Sequence, residues 1–512
     1  MAQVASALLS AVALTACAVG STAASLPVSS IPAQVSGESS QALFPDARPP
    51  VAKRKFSSSY VEKTIAWMEA NLLDTGLAEL FRNCFPNTLD TTVTDPGSNS
   101  TCVITGDIDA MWLRDSMNQV MPYLPLVPFD EALNEMVHGL IHRQLVYVLH
   151  DSFANAFNAD PNGHGHQTDE RKPPMTPLVF EGKYELDSLC SVLKLTSAFA
   201  QAHGQDHNVS WLVNNFPQHY ELAVEMILTT MQSMQVSTAE QEQNASLRVY
   251  EFVRPAEGDV YPRRPAGRTG MVRSAFRPSD DQTYYDFLVP SNLMAAVELG
   301  KLLNLSSSAA ARGVGNWTRL HAQASTLRAE ICAAVKAFAL TEEGYLAYET
   351  DGLGNFNLMD DANLPSLLSL PFLGVTSADI LDFETVYEKT RAFVLSVANP
   401  YFYSGPLATG VGSPHTSPHF VWPLALMAQT ATAKSDAEIL SLLAMLKSSA
   451  IGTGLMHESF SVHDASNFTR SWFAWGNTLF GQTLLQIAHQ RPELLLKRDH
   501  AQFPPWFPRP FL

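Results

Sequence analysis

An all-α domain is the fold class this sequence predicts, on three observations. Apolar residues recur at helical spacing in roughly twelve segments between residues 57 and 490. Nowhere do strand-like and helix-like segments alternate, and no long linker separates the segments. Six helical hairpins closed into a toroid account for that number, with loops gathered at one end around a concave site. The rival is an α-solenoid of stacked hairpins, and the lack of any repeat at fixed period stands against it.

Residues 1–24 read as a secretory signal peptide. Ala5–Val19 is apolar, small residues follow at Ser21–Ala24, and there is no Lys or Arg, so the usual basic start is missing. An uncleaved anchor is the alternative, but the run is short for a span and rich in Ala and Ser. Leu14-Thr15-Ala16-Cys17 also has the form of a lipoprotein cleavage box. Residues 25–56, rich in Pro, Ser, Ala and Gln and closing on Lys53-Arg54-Lys55, read as a flexible leader. The folded domain is expected over 57–490 and a tail over 491–512. Helices are predicted near 60–82, 109–123, 131–155, 184–203, 217–236, 289–303, 316–338, 363–371, 379–396, 420–431, 436–450 and 471–489. Strand-like pieces near 246–253 and 343–349 read as small insertions.

Composition bounds the function. In 512 residues, 46% are hydrophobic and 16% charged, which is the make-up of a folded chain with a large core. Lys and Arg number 33 against 50 Asp and Glu, a formal charge of −17. Nucleic acid is an improbable partner for so acidic a chain, whereas a neutral sugar fits. Past the leader there is no run of 18 apolar residues, so a soluble mature protein is expected. Six sequons, at Asn99, Asn208, Asn244, Asn304, Asn316 and Asn467, fall in predicted loops and agree with secretion. There is no Cys-x-x-Cys and no Cys/His ligand spacing, so no structural zinc is expected. Cys84 and Cys102 flank a turn-rich loop and can pair in an oxidising compartment, while Cys190 reads as a buried thiol.

Chemistry is concentrated in polar, aromatic clusters between the helices. The first is Thr105–Ser116, with Asp107, Asp109, Trp112, Arg114 and Asp115. Asp107 reads as a helix N-cap; Trp112, Arg114 and Asp115 read equally as a sugar platform with hydrogen-bonding partners or as a structural ion pair. In Asn162–Gln167 the His164/His166 pair has no carboxylate at a matching helical spacing, so it reads as a glycine-rich loop lending histidines to a cleft. Glu185 and Asp187 open a helix, where capping competes with a role in the site. Asp280 and Asp281 follow Pro278 on a rigid turn, with Asn292 close behind. Adjacent carboxylates repel, which raises the pKa of one and suits it to donate a proton, though a capped helix start explains the pair as well. Near the carboxyl terminus stand His415, Trp422, and Glu458 among apolar and small residues, where an unpaired carboxylate is costly. Trp472 and Trp475 are expected to share a helical face, more as core than as a stacking pair.

The runs TGDIDAMWLRDS, YELDSLC, RPSDD with VPSN, MDDANLPSLLSLPFLG, GSPHT, and MHESF with FTRSWFAWGN resemble glycoside hydrolase family 125, in order, from about Ser57 to about Gln490. The resemblance implies an (α/α)6 barrel and a metal-independent, inverting exo-α-1,6-mannosidase without cofactor; the leader and the sequons place it in the secretory pathway, with the medium, cell wall or vacuole as its destination. It also implies that Asp280 or Asp281 is the general acid, with a lean to Asp280, and that Glu458 is the general base. Trp112, Arg114, Asp115 and His415, with Asn292, Glu185 and Asp187, are expected to bind the mannosyl glycan. Two alternatives remain at this stage: a glucoamylase-like exo-glycosidase on the same barrel, and a glycan-binding protein without turnover. Oligomeric state is not legible.

Overall fold

A computed structural model describes residues 42–96, 100–497 and 503–509. The presumed signal peptide, most of the leader, Asn99 and parts of the tail therefore lie outside the described residues. The helices, in order, are α1 (Ser59–Asn71), α2 (Thr75–Cys84), α3 (Asn87–Thr91), α4 (Leu113–Val120), α5 (Glu131–His150) and α6 (Leu186–Ala202). There follow α7 (Val209–Asn215), α8 (Tyr220–Ser233), α9 (Thr238–Gln243), α10 (Val289–Ala311), α11 (Trp317–Phe338) and α12 (Leu370–Leu373). The last are α13 (Phe383–Val394), α14 (Pro423–Ala431), α15 (Asp436–Ser449), α16 (Ala474–Gln490) and α17 (Pro492–Leu495).

Packing sorts these helices into two rings. Helix α4 packs on α6, α6 on α10, α10 on α12, α14 on α16, and α16 back on α4. Between them in sequence come α5, α8, α11, α13 and α15, with α1 and α2 preceding α4. The alternation of outer and inner members is that of the expected (α/α)6 barrel. Burial agrees: nearly every residue of α6 and α16 is inaccessible, as is the first half of α10. A helix apolar or small on all sides belongs inside, whereas α11 keeps one buried stripe through Trp317, Leu320, Ala324, Leu327 and Ile331.

The helix ends differ between rings. Outer helices α1, α5 and α15 start on capping side chains: Ser58, Asp130 and Ser435 each accept from a backbone N–H three residues on. None of the inner helices α4, α6, α10, α12, α14 and α16 has a side-chain cap. At α4, α14 and α16 the N-cap positions are instead taken by Trp112, Trp422 and Phe473, which line the cavity described below.

Several expectations are corrected. The predicted helix over 363–371 forms only as α12, because Pro365 interrupts it and Asp360 takes the N–H groups of Leu367 and Leu368; Pro371 sits in the first turn of α12, where a proline is tolerated. The segment 60–82 is two helices, broken where Asp74 caps α2. The leader is packed from residue 42 on: Phe44 is buried, and Arg48 binds Glu62 and Asp90. The tail also packs, with Phe503 and Phe507 against Trp67 and His489. Cys84 and Cys102 are free buried thiols rather than a disulfide. Asn304 lies within α10, not in a loop. No helix among the described residues is long and apolar enough to cross a membrane.

Candidate active site

The segments entering the inner helices line a cavity of about 480 Å³, within the usual range for small-molecule sites. Its wall includes Trp112, Arg114 and Asp115 at the start of α4, Trp422 before α14, and Phe473 and Trp475 at the start of α16. Asp280, His415, Glu458 and Arg470 come from the loops between. Two small sheets fix these loops. Met111–Trp112 pairs with Ala156–Phe157, which pairs with Val179–Glu181, setting Trp112 against Phe180. Phe420–Val421, Ser459–Ser461 and Phe468–Thr469 form the second, so that Glu458 leaves a strand edge beside Thr469.

Asp280 sits on a tight turn closed by Arg277: the Arg277 N–H donates to the Asp281 carbonyl, and the Asp280 N–H to the Arg277 carbonyl. Its φ of 65° is left-handed, a conformation disfavoured for a non-glycine residue and held here by the surroundings. Arg277 is anchored by buried Glu349 at 2.6 Å, and Ser279 donates to buried Asp361. The turn points the two neighbouring carboxylates differently. Asp280 enters the cavity and accepts from Arg114 Nη2 at 3.1 Å and Asn155 Nδ2 at 3.3 Å. Asp281 is outside the cavity wall and takes Nδ1 of His415 at 2.9 Å. Burial pushes the Asp280 carboxyl up, but Arg114, a hydrogen bond from Glu185, Lys183 and His415 outweigh it and bring it below the ordinary carboxylate range.

Glu458 accepts from Thr469 Oγ1 at 3.0 Å and lies 3.6 Å from Arg470, which itself holds Asp107. Asp107 is thus an ion-pair partner, not the N-cap expected; α4 begins later, after Trp112. Burial raises the Glu458 carboxyl, with Arg470, His415 and Thr469 opposing. For His415 burial lowers, but its hydrogen bond to Asp281 and the charges of Asp281, Glu458 and Asp280 carry it up to about 9. The ring is therefore a cation at neutral pH.

Of the residues expected from sequence, Trp112, Arg114, Asp115, Asp280, His415 and Glu458 share one wall. Glu185 and Asp187 do not reach it; they are buried behind Arg114 and bind its guanidinium. Asn292 does not reach it either. Its amide is consumed by the backbone of Val272 and Leu288, which makes it a clip between α10 and the preceding loop. His166 reaches the wall and His164 does not. Trp472 lies outside α16, bonded to Thr91, so it shares no helical face with Trp475. Sequence reading missed Lys183, Arg254, Asn363 and Arg470. Lys183 and Arg470 stand inside or beside the polar runs YELD and FTRSW, which was their only signal; Arg254 had none.

Chemically, the cavity offers carboxylates of unlike environment, Asp280 and Glu458 among them, with indole rings and further polar groups. Nε1 of Trp112, Nε1 of Trp475 and Oδ1 of Asp115 are buried without a protein hydrogen-bond partner. Such a set matches a hydroxylated, uncharged ring: aromatic faces for C–H surfaces, donors and acceptors for hydroxyls. No cluster of three or more His, Cys, Asp or Glu suited to a metal ion occurs among the described residues.

Comparison with known proteins agrees. Residues 74–485 match the family model described as metal-independent alpha-mannosidase (GH125). A Schizosaccharomyces pombe protein, the meiotically up-regulated gene 157 protein, is 37% identical over 478 residues, covering 89% of this chain and 90% of its own. A metal-independent α-mannosidase of Streptococcus pneumoniae, solved in a non-productive complex with α-1,6-mannobiose, superposes with a TM-score of 0.74 at 35% identity. That match covers 85% of this chain and all of the other. A bacterial glucoamylase bound to acarbose shares the fold at a TM-score of 0.50 and 11% identity, covering 79% of this chain and 55% of its own.

Proposed function

The chain belongs to glycoside hydrolase family 125, the metal-independent α-mannosidases, and from that premise we propose that it removes terminal α-1,6-linked mannose from glycans with inversion at the anomeric carbon. The observation that carries this reading is the presence of Asp280 and Glu458 on one cavity wall with Trp112, Trp422 and Trp475. The linkage is supported by the α-1,6-mannobiose held by the pneumococcal relative. Asp280 is the acid and Glu458 the base. Asp280 delivers a proton to the glycosidic oxygen as the C–O bond breaks; Glu458 takes a proton from water as its oxygen joins C1. The positive charge growing on the ring is met by nearby carboxylates, Asp115 among them. Asp281 instead holds His415, which lends a positive charge near both reacting carboxylates.

The test is incubation with α-1,2-, α-1,3- and α-1,6-mannobiose in EDTA. Hydrolysis of the α-1,6 isomer alone, undiminished by chelator, is expected. Activity that disappears with EDTA and returns with calcium refutes the reading. Proton NMR should show β-mannose as the first-formed product, and α-mannose first would demand a retaining mechanism.

Passage through the secretory pathway belongs to the same proposal. It is supported by the leader-like residues 1–24 and by exposed sequon asparagines at Asn208, Asn244, Asn316 and Asn467. Mature enzyme should begin after Ala23 or Ala24 and lose mass on peptide-N-glycosidase treatment. Recovery of Met1 from the secreted enzyme would contradict it.

A further inference from the structure

We propose that Lys183 is a positioning residue: it fixes the backbone of the turn that carries Asp280 and so keeps the carboxyl group of the acid in the cavity. This role rests on Asp280 being the acid.

The difficulty is one of conformation. Asp280 has φ of 65°, and a residue other than glycine leaves that region unless its peptide groups are held. Three hydrogen bonds hold them. Two are internal to the turn: the Asp280 N–H donates to the Arg277 carbonyl at 2.9 Å, and the Arg277 N–H to the Asp281 carbonyl at 2.8 Å. The third comes from outside, where Lys183 Nζ donates to the Asp280 carbonyl at 2.6 Å. That bond fixes the peptide between Asp280 and Asp281, which neither internal bond touches. Rotation of this peptide is what would let Asp280 relax out of the left-handed region and carry its carboxylate away from the cavity.

Lys183 is itself held firmly. Its N–H donates to Asn155 Oδ1 at 3.3 Å. On either side of it, the Gly182 carbonyl accepts from the Tyr250 hydroxyl at 2.8 Å and the Tyr184 N–H donates to that hydroxyl at 3.1 Å. Its ammonium lies 3.4 Å from Glu181, which also takes Arg254 at 2.9 Å and Asn155 at 3.0 Å. The same ammonium stands 5.2 Å from the centre of the Phe276 ring. Phe276 belongs to the base of the Asp280 turn, where the N–H groups of Ala275 and Phe276 both donate to the Tyr184 carbonyl at 3.1 Å. Residues 183 and 184 thus grip the turn at its tip and at its base. Lys183 is 5% exposed, a burial that a lysine rarely accepts unless it is paired.

Arg114 and Asn155 also hold Asp280, but at the carboxylate. The grip of Arg114 depends on charge, and that charge is gone when the acid carries its proton. A bond to the backbone carbonyl survives protonation of the side chain. Lys183 therefore supplies an anchor that persists in the form of the acid that reacts, where placement within hydrogen-bond reach of the leaving oxygen decides the rate. The positive charge of Lys183 works the other way, since it favours the ionised carboxylate. Its removal should accordingly move the rate and the pH profile in opposite senses.

Lys183→Met in the full chain separates position from charge. At the pH optimum, kcat/KM on α-1,6-mannobiose should fall about tenfold or more, and on α-mannosyl fluoride, whose departure needs little protonation, by no more than about twofold. The basic limb should move to higher pH, because one cation beside Asp280 is gone while Arg114, Asp115, Glu185, Asp187 and His415 still face it. A crystal structure of the variant should show the peptide between Asp280 and Asp281 rotated and the Asp280 carboxylate withdrawn from the cavity. Lys183→Gln, one bond shorter and still polar, takes the same measurements if Lys183→Met does not fold. A shifted limb with an undiminished rate leaves Lys183 only its charge and overturns the proposal. Equal losses on both substrates, as from a lost sugar contact, overturn it, and so does a crystal structure with Asp280 in place. Asp280→Asn should show the same sparing of the fluoride. If it does not, Asp280 is not the acid, and the structure of the Lys183 variant still decides whether Lys183 holds that carboxylate in the cavity.

Discussion

At the scale of single residues, the carboxylates proposed as acid and base, Asp280 and Glu458, differ through their neighbours rather than their chemistry. Glu458 is raised by burial and must be ionised to act as base, so kcat/KM should fall as pH drops through a value above the ordinary glutamate range. Arg470 favours the ionised form; Arg470→Met should therefore move that acid limb further up, and a limb that stays in place would remove Arg470 from the account. Glu458→Gln should cost about 10²- to 10⁴-fold in kcat with every substrate, the usual contribution of a general base. Near-normal turnover would require another base. The roles of Asp280 and Asp281 could not be separated in sequence, because adjacency says nothing about direction. A left-handed φ at Asp280 makes the distinction by sending one carboxylate to the cavity and leaving the other to His415. Asn292 was misread for a related reason: an amide beside a catalytic run looks available until the backbone groups it satisfies are seen.

At the scale of elements, the helices were legible wherever apolar spacing and uninterrupted length agreed, as in α5, α6, α10 and α11. The inner element around α12 was not, since LPSLLSLPFLG is apolar enough for a helix while its prolines and the buried carboxylate of Asp360 claim the backbone. Loops were legible as polar and aromatic clusters, but their mutual contacts were not. The clearest is the approach of Gly106 to the Trp472–Phe473 segment, joined by a backbone bridge to Phe473. Gly106 has φ of 134°, and a Cβ there would stand 2.3 Å from the Trp472 carbonyl oxygen. Gly106→Ala should thus cost about 1–3 kcal/mol from backbone strain alone, and more from the collision. Because Trp112, Arg470 and Trp475 are carried by the segments so joined, activity on mannobiose should fall along with the melting temperature. A variant with unchanged melting and kinetics would show that the clasp is dispensable.

At the scale of the whole molecule, the starts of α4, α14 and α16 meet at one cavity, and the barrel closes through α16 packing on α4. That closure is reinforced from outside the ring by chain that composition alone marks as leader. Phe44 is 2% exposed, and Asn83 donates to the Pro45 carbonyl and to that of Gly454, tying the segment to both ends of the domain. Arg48 bridges Glu62 on α1 and the nearly inaccessible Asp90 on α3. A chain beginning at residue 57 would lose the contacts of Phe44, Pro45 and Arg48. Burying one Phe is worth about 1.5–3 kcal/mol, and stripping a buried carboxylate of its partner costs about 3–5 kcal/mol. Arg54 would be lost too, so Asp90 would lose both cations that contact it and burial would favour its protonation. The chain beginning at residue 57 should therefore melt on the order of 5 °C below one beginning at residue 42. Asp90→Asn should restore part of the difference in the shorter chain while destabilising the longer one, where Arg48 needs the charge. Equal melting of the two chains, or the same effect of Asp90→Asn in both, would place the stabilising contacts elsewhere.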